Sequence, residues 1–100
     1  MKSEFGTTAL LLASQHGYID IVKLLLDHGA NPDISDDYRD TPLISVSRDG
    51  YITIARLLLD HDADPNIYNG VGDTPLIWAS EHGYTNIVKL LLDHRADPRM

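Results

Sequence analysis

Residues 76–99 read LIWASEHGYTNIVKLLLDHRADPR, and the same pattern stands at residues 43–66 as LISVSRDGYITIARLLLDHDADPN and at residues 10–33 as LLLASQHGYIDIVKLLLDHGANPD. The glycines inside these stretches, Gly17, Gly50 and Gly83, are spaced 33 residues apart. A fixed period of this length is typical of a solenoid, in which each repeat packs on its neighbours. The sequence therefore predicts one structural unit that is repeated three times.

Each unit contains the signals of two short helices. Thr41-Pro42 marks the start of a first helix, because the Thr oxygen can cap a free N–H and Pro has no N–H to leave unpaired. This helix must end by the repeated glycine. A second helix is predicted over residues 19–28, 52–61 and 85–94, where apolar residues recur with helical spacing. The polar stretches that follow, SDDYRD and YNGVGD, are interpreted as β-hairpin-like loops that project from the helices.

Composition limits the function classes that remain open. The chain has 100 residues and a formal net charge of -7, which disfavours binding to nucleic acid because phosphates require clustered Lys and Arg. It contains no cysteine, which excludes disulfides, thiolate nucleophiles and Cys-ligated zinc. Its apolar runs are far shorter than the ~20 residues that a membrane helix needs. We expect a soluble, intracellular protein of the cytoplasm that folds as a single domain.

No catalytic constellation can be assembled from the sequence. Proton transfer or metal binding could involve only the five histidines, and none of them has the i, i+4 partner of a helical zinc motif. The chain has no glycine-rich phosphate loop and no G-x-S-x-G nucleophile elbow. We therefore expect that the protein is not an enzyme and that it has no catalytic residues, no cofactor and no metal site.

The order of helix, glycine turn, helix and projecting loop, with the strings GDTPLIWASEHG and IVKLLLDHGANP, resembles the ankyrin-repeat family. The resemblance extends from about Gly6 to Pro98 in three consecutive copies. It implies an all-α repeat solenoid, an ankyrin-repeat stack of helix-turn-helix pairs with projecting β-hairpin-like loops. The expected organisation is one domain over residues 1–100, with repeats at approximately 3–35, 36–68 and 69–100.

Two departures from the family pattern carry structural predictions. The family usually has a hydrogen-bonding His after Thr-Pro-Leu, and apolar packing should replace it at Leu11, Ile44 and Ile77. The glycine that usually closes the second helix is kept as Gly29 but is replaced by Asp62 and Arg95. A left-handed conformation at a residue other than glycine costs on the order of 1 kcal/mol, so the last two positions are expected to be strained.

Three other features are assigned to packing rather than to a site. Val46 and Ala55 exchange large and small side chains relative to the other repeats and are interpreted as a volume-conserving pair. A tyrosine follows the turn glycine in every copy, and such strict repetition indicates contact between equivalent neighbours. Trp78, which replaces Leu12 and Ser45, is assigned to packing in preference to ligand contact.

The family resemblance also implies a binding face, a concave surface of loop tips and first helices. Its contact positions correspond in this chain to Phe5, Gln15, His16, Asp37, Tyr38, Asp40, Arg48, Asp49, Val71, Asp73, Glu81 and His82. Phe5, Tyr38 and Val71 take the same place in successive loops and form an apolar row among acidic residues, which suits a protein partner with basic and apolar groups. Tyr38 is the first hot-spot candidate, because aromatic side chains often dominate interfaces. The alternative is a loop residue that packs on its neighbour.

The leading hypothesis is a non-catalytic protein-protein interaction module that binds a protein or peptide through this face, with neither nucleic acid nor membrane as a partner. The alternative is an engineered or excised ankyrin scaffold with no natural partner of its own. A third hypothesis is a regulatory arm of a larger enzyme. Neither end of the array has an evidently polar terminal repeat, so we expect a monomer or a weak end-to-end self-association.

Overall fold

The computed structural model describes residues 7–100, which form six helices in three consecutive pairs. The first helices span Ala9–Gln15 (α1), Pro42–Asp49 (α3) and Pro75–Glu81 (α5). The second helices span Ile19–Asp27 (α2), Ile52–Asp60 (α4) and Thr85–Asp93 (α6). Residues 7–100 include no β-strand, and none of their helices is long and apolar enough to cross a membrane. The all-α repeat stack is confirmed, and each second helix ends one residue earlier than predicted.

A threonine caps the first helix of every repeat. The hydroxyls of Thr8, Thr41 and Thr74 accept hydrogen bonds from the N–H three residues later, at 3.2, 3.2 and 3.3 Å. Pro42 and Pro75 are the first residues of their helices, where no backbone N–H is needed. Helices this short are marginal on their own, so their stability depends on packing between repeats.

A histidine caps the C-terminus of each second helix, and a left-handed residue follows it. The Nδ1 atom of this histidine lies 2.8–2.9 Å from a carbonyl oxygen one turn earlier in all three repeats. The next residue has a φ of 87° at Gly29, 67° at Asp62 and 74° at Arg95, which confirms the predicted conformation. Arg39 also has a positive φ, 66°, at the position that Gly72 takes in the next loop, and this third strained residue was not predicted.

The core fills the space between the row of first helices and the row of second helices. Helices α1, α3 and α5 contact one another in succession, and so do α2, α4 and α6. Leu11 and Ile44 are fully buried and Ile77 is half-buried, which confirms apolar packing in place of the usual histidine. Val46 and Ala55 are both completely inaccessible. The core side chains include Leu10, Ala13, Val22, Leu43, Val46, Ile54, Ala55, Leu58, Leu76, Ala79, Ile87 and Leu91.

The repeated tyrosines pack on the turn glycines of the preceding repeat. A Cβ atom added to Gly17 would lie 3.2 Å from Cζ of Tyr51, and one added to Gly50 would lie 3.0 Å from Cζ of Tyr84. These glycines therefore supply both a positive φ and room for an aromatic ring. The assignment of the tyrosine series to contact between repeats is confirmed.

Polar contacts in the loops also join the repeats. The N–H of Asp64 donates to Oδ1 of Asp33 at 2.9 Å, and the N–H of Asp97 donates to Oδ1 of Asn66 at 2.8 Å. Asn66 makes a second bond, from its Nδ2 to the carbonyl oxygen of Arg95 at 3.2 Å. The same position thus links successive repeats with either a carboxylate or an amide.

A His–Asp pair recurs where neighbouring second helices end. Nε2 of His61 lies 3.5 Å from Oδ1 of Asp27, and Nε2 of His94 lies 3.8 Å from Oδ1 of Asp60. Each histidine thus faces its own helix with one ring nitrogen and the preceding repeat with the other. These contacts repeat with the same 33-residue period as the core.

Candidate partner-binding face

Asp36 organises the loop between α2 and α3. Its Oδ1 accepts hydrogen bonds from the N–H of Tyr38 at 2.9 Å and of Asp40 at 3.0 Å, as in an Asx turn. Its backbone N–H donates to the carbonyl oxygen of Asp40 at 3.1 Å, and the N–H of Arg39 donates to its carbonyl oxygen at 3.0 Å. The loop is a hairpin-like turn without strands, and Tyr38 lies at its tip.

Asn69 organises the next loop in the same way. Its Oδ1 accepts from the N–H of Val71 at 3.1 Å and of Asp73 at 3.0 Å, and its own N–H donates to the carbonyl oxygen of Asp73 at 3.0 Å. The two tips are joined directly, because the N–H of Gly70 donates to the carbonyl oxygen of Tyr38 at 3.0 Å. Adjacent loop tips are thus fixed relative to each other through their backbones.

The tips expose apolar side chains. Val71 is 79% exposed and Tyr38 is 64% exposed, which makes them the two most exposed large apolar side chains among residues 7–100. Their backbones are held by the Asx turns while their side chains remain in solvent. A partner that buries these side chains would have little backbone to order, which reduces the entropic cost of binding.

Asp40 and Arg48 are already engaged with each other and with the next repeat. Oδ1 of Asp40 accepts from Nδ2 of Asn69 at 2.9 Å, and Nη1 of Arg48 lies 3.5 Å from Oδ2 of Asp40. The Arg48 guanidinium carbon lies 5.4 Å from the centroid of the half-buried Trp78 ring, within the range of a cation–π contact. Trp78 therefore packs between repeats, as the sequence indicated. Through these contacts Asp40, at the end of its loop, is held next to α3 and α5.

Histidines at the ends of the first helices stack on the tyrosines that follow them. The rings of His16 and Tyr18 lie 5.3 Å apart, and those of His82 and Tyr84 lie 5.4 Å apart, both in stacked geometry. The middle repeat has an exposed carboxylate at this position, Asp49. At this position of the face, the first and third repeats therefore have a stacked histidine and the second repeat has a carboxylate.

The remaining candidate residues differ in accessibility. Asp37 and Glu81 are exposed, and Gln15 and Asp73 are half-buried. Phe5 lies outside the described residues. An Asx turn was not predicted at either Asp36 or Asn69, although an Asp or Asn two residues before each tip at the 33-residue spacing was an available signal for one.

The two carboxyl groups with shifted pKa values belong to contacts within the loops and between repeats. Burial raises the pKa of Asp33, a hydrogen bond from the Asp64 N–H partly offsets this, and the Asp64 charge adds to the rise. The pKa of Asp97 is lowered, chiefly by a backbone hydrogen bond from Arg99 and also by the Arg99 side chain. In residues 7–100, no three His, Asp or Glu side chains converge where they could hold a metal ion.

The comparisons with known proteins agree with the repeat organisation of the structure. The family model of ankyrin repeats, in three copies, matches residues 1–69 and again residues 35–100. An ankyrin repeat protein of Fowlpox virus (strain NVSL) is 58% identical over 33 residues, which are 33% of this chain and 4% of the viral protein. The chain therefore spans only a small part of that relative, and the similarity concerns a single repeat unit.

Proposed function

Because the chain belongs to the ankyrin-repeat family, whose repeats are generally protein–protein interaction modules, we propose that it binds a peptide segment with basic and apolar side chains. The binding face consists of the two loop tips, with Tyr38 and Val71, and of the adjoining ends of α1, α3 and α5. The family is typically non-enzymatic, and the proposed mechanism is rigid complementarity without chemistry on the partner.

The observation that carries this proposal is the pair of braced, mutually bonded loop tips with exposed apolar side chains. Exposed apolar groups at Tyr38 and Val71 have no evident packing role, because their loops are held by backbone and Asx hydrogen bonds. Fully burying a side chain of this size contributes roughly 1.5–3 kcal/mol. A partner that covers both tips would therefore gain a substantial part of its affinity from two residues, as hot-spot interfaces do.

The charge around the tips selects the polar part of the partner. Asp37, Asp49 and Glu81 are exposed carboxylates, whereas Arg48 is paired with Asp40 and is not free to attract an acidic ligand. With a net charge of -7 over the chain, the field favours approach by Lys or Arg side chains. Such contacts at a rim mainly set the association rate and its salt dependence, and the apolar tips would supply affinity.

The test is a selection from a random peptide library on immobilised protein, followed by affinity measurement on the enriched peptides. We expect enrichment of peptides that combine Lys or Arg with aromatic or aliphatic residues. Tyr38→Ala should weaken their binding by about tenfold or more, the effect of a single hot-spot residue. Tyr68→Ala is the matched control, because Tyr68 is 51% exposed in the next loop and lies outside the candidate set.

The proposal fails if no peptide is enriched, or if Tyr38→Ala and Val71→Ser bind the enriched peptides as well as the unaltered chain does. Equal weakening by Tyr68→Ala would also contradict it, because the effect would then not be confined to the tips. Thermal melts of all variants must first match, so that a loss of binding is not a loss of folding. A chain that folds but selects nothing would favour the alternative of a scaffold without a partner.

A further inference from the structure

The second loop contains the dipeptide Asn69-Gly70, in which an asparagine precedes a glycine. An asparagine cyclises when the backbone nitrogen of the next residue attacks its Cγ, and a following glycine places no side chain in the way. Each of the other asparagines of the chain precedes either isoleucine, which is branched at Cβ, or proline, which has no backbone N–H. Asn69 therefore has the highest intrinsic reactivity for deamidation among the asparagines of this sequence.

The reaction has two steps. In the first, the backbone nitrogen of Gly70 loses its proton and forms a bond to Cγ of Asn69, while Nδ2 takes up a proton and leaves as ammonia, which closes a cyclic succinimide. In the second, water adds to one of the two ring carbonyls and the C–N bond at that carbonyl breaks. Opening at Cγ gives an aspartate, and opening at the backbone carbonyl gives an isoaspartate. The net change exchanges one ammonia for one water and needs no other reactant.

In the folded loop, both reacting groups are held by the preceding loop. The N–H of Gly70 donates to the carbonyl oxygen of Tyr38 at 3.0 Å, and Nδ2 of Asn69 donates to Oδ1 of Asp40 at 2.9 Å. Asn69 is also only 7% exposed, which limits the access of water to the leaving nitrogen. The nucleophile and the leaving group are therefore both occupied while the two loops remain in contact.

We propose that Asn69 is a deamidation site controlled by the preceding loop, protected while Tyr38 and Asp40 hold it and reactive when the two loops separate. The bond to Asp40 has a charged acceptor, and losing a bond of this class raises the population of the separated state by about tenfold or more. Because Gly70 can attack only in that state, the rate of deamidation should follow this population.

The first loop indicates what the products would keep. Asp36 is equivalent to Asn69, and its carboxylate accepts the same two N–H bonds within its own turn. An aspartate at position 69 would thus keep the second Asx turn, but it has no N–H to donate to Asp40. Two carboxylates would face each other where Nδ2 and Oδ1 now lie 2.9 Å apart, and like charges at that distance repel. An isoaspartate adds a methylene to the main chain and would disrupt the turn as well.

Either product would weaken the connection between the two loop tips. Deamidation would therefore alter the face to which peptide binding is assigned, a consequence that rests on the proposed function. The chemical conversion does not rest on it, because the conversion is measured without any peptide. A failed peptide selection and a failed deamidation experiment are thus separate results.

The experiment incubates the full chain in mildly alkaline buffer, at a temperature well below its Tm, and follows it by mass spectrometry with peptide mapping. Mapping assigns the exchange of ammonia for water to one asparagine, and it separates isoaspartate at Asn69 from isomerisation at Asp49-Gly50, which leaves the mass unchanged. The same chain unfolded in guanidinium is the reference. We expect Asn69 to convert at least about tenfold more slowly in the folded chain, and Asn66 and Asn86 to remain intact over the same period.

Three variants of the folded chain test the control by the preceding loop. Asp40→Ala removes the acceptor of the Asn69 amide and should raise the rate of conversion by about tenfold. Asp37→Ala is the matched control, because it removes one exposed carboxylate from the same loop and should leave the rate unchanged. Ile87→Val removes a methylene from the core, where the side chain is 2% exposed, and lowers the stability of the whole fold without altering either loop. It should also leave the rate unchanged.

The proposal is overturned if the folded chain converts as fast as the unfolded chain, or if Asp40→Ala converts no faster than Asp37→Ala. Equal acceleration by Ile87→Val and Asp40→Ala would show that unfolding of the whole chain controls the reaction, which contradicts control by the loop. Conversion of Asn66 or Asn86 at the rate of the unfolded Asn69 site would contradict the role of the glycine. Thermal melts of every variant establish that each is folded at the incubation temperature.

Discussion

Asp33→Asn should stabilise the fold at neutral pH, because the stack already contains the improved form of this contact. Asp33 and Asn66 occupy equivalent positions and accept the same inter-repeat hydrogen bond, at 2.9 and 2.8 Å. Only Asn66 also donates, from its Nδ2 to the carbonyl oxygen of Arg95. An Asn at position 33 would donate from its Nδ2 to the carbonyl oxygen of Asp62, which is the residue equivalent to Arg95.

The expected gain follows from one added hydrogen bond and one removed charge. A net hydrogen bond contributes about 1 kcal/mol, and the substitution also removes the half-buried carboxylate that the Asp64 charge opposes. The amide oxygen is a weaker acceptor than the carboxylate for the Asp64 N–H, which offsets part of the gain. We therefore expect about 1 kcal/mol in the free energy of unfolding, or roughly 4–8 °C in Tm for a domain of this size.

The pH dependence gives this prediction a second readout. Burial raises the pKa of Asp33 in the folded state above its unfolded value, so the folded state binds more protons than the unfolded state across that interval. The stability that Asp33 contributes is thus fully present below the unfolded pKa and is lost as the pH rises through the folded pKa. The advantage of Asp33→Asn should accordingly be largest at neutral pH and shrink on acidification.

Urea unfolding followed by circular dichroism, at neutral pH and along a series of more acidic buffers, measures both effects. Asn66→Asp is the reciprocal variant and should lose stability at neutral pH, because it removes the bond to the Arg95 carbonyl. Equal or lower stability of Asp33→Asn at neutral pH would refute the reasoning. An advantage that grew on acidification would show that the carboxylate is not the source of the effect.

Three further predictions test the backbone and the core. Asp62→Gly should raise the free energy of unfolding by about 1 kcal/mol, because glycine adopts the φ of 67° without strain; an unchanged or lower Tm would contradict this. Gly50→Ala should destabilise more than Gly83→Ala in chemical unfolding, since both have positive φ but only Gly50 has an aromatic ring 3.0 Å from the added Cβ; equal losses would exclude that contact as the cause. A double-mutant cycle on Val46→Ala and Ala55→Val should show coupling of at least about 0.5 kcal/mol, whereas additive free energies would mean that the two positions do not share volume.

The fold could be predicted from the sequence because its determinants are local and recur. The threonine caps, the turn glycines and the apolar positions each have a direct sequence signal, and the contact of the tyrosines with a neighbouring repeat followed from repetition alone. That the ring packs on the turn glycine of the preceding repeat was not predicted. The left-handed Arg39 was missed, although Gly72 at the equivalent position was a signal. One repeat read by itself would not have revealed it, because an arginine gives no indication of positive φ.

The roles of the residues on the binding face could be predicted only in part. Asp40 and Arg48 are polar residues at loop and helix-end positions, which is equally compatible with contacting a partner and with holding two repeats together. In the structure they hold two repeats together, through contacts with Asn69 and Trp78. Sequence spacing gives the position of a side chain along the chain but not which neighbour its terminal atoms reach.

In a stack of equivalent units, repetition and variation separate packing from recognition. Positions that must fit a neighbour in every copy keep their chemistry, as the tyrosines after the turn glycines do. Positions free of that requirement change, and the tip residues Tyr38 and Val71 are among them. Exposure alone does not separate the two classes, because Ile21 and Leu92 are exposed although their equivalents in other repeats, such as Ile54 and Leu59, are buried in the core.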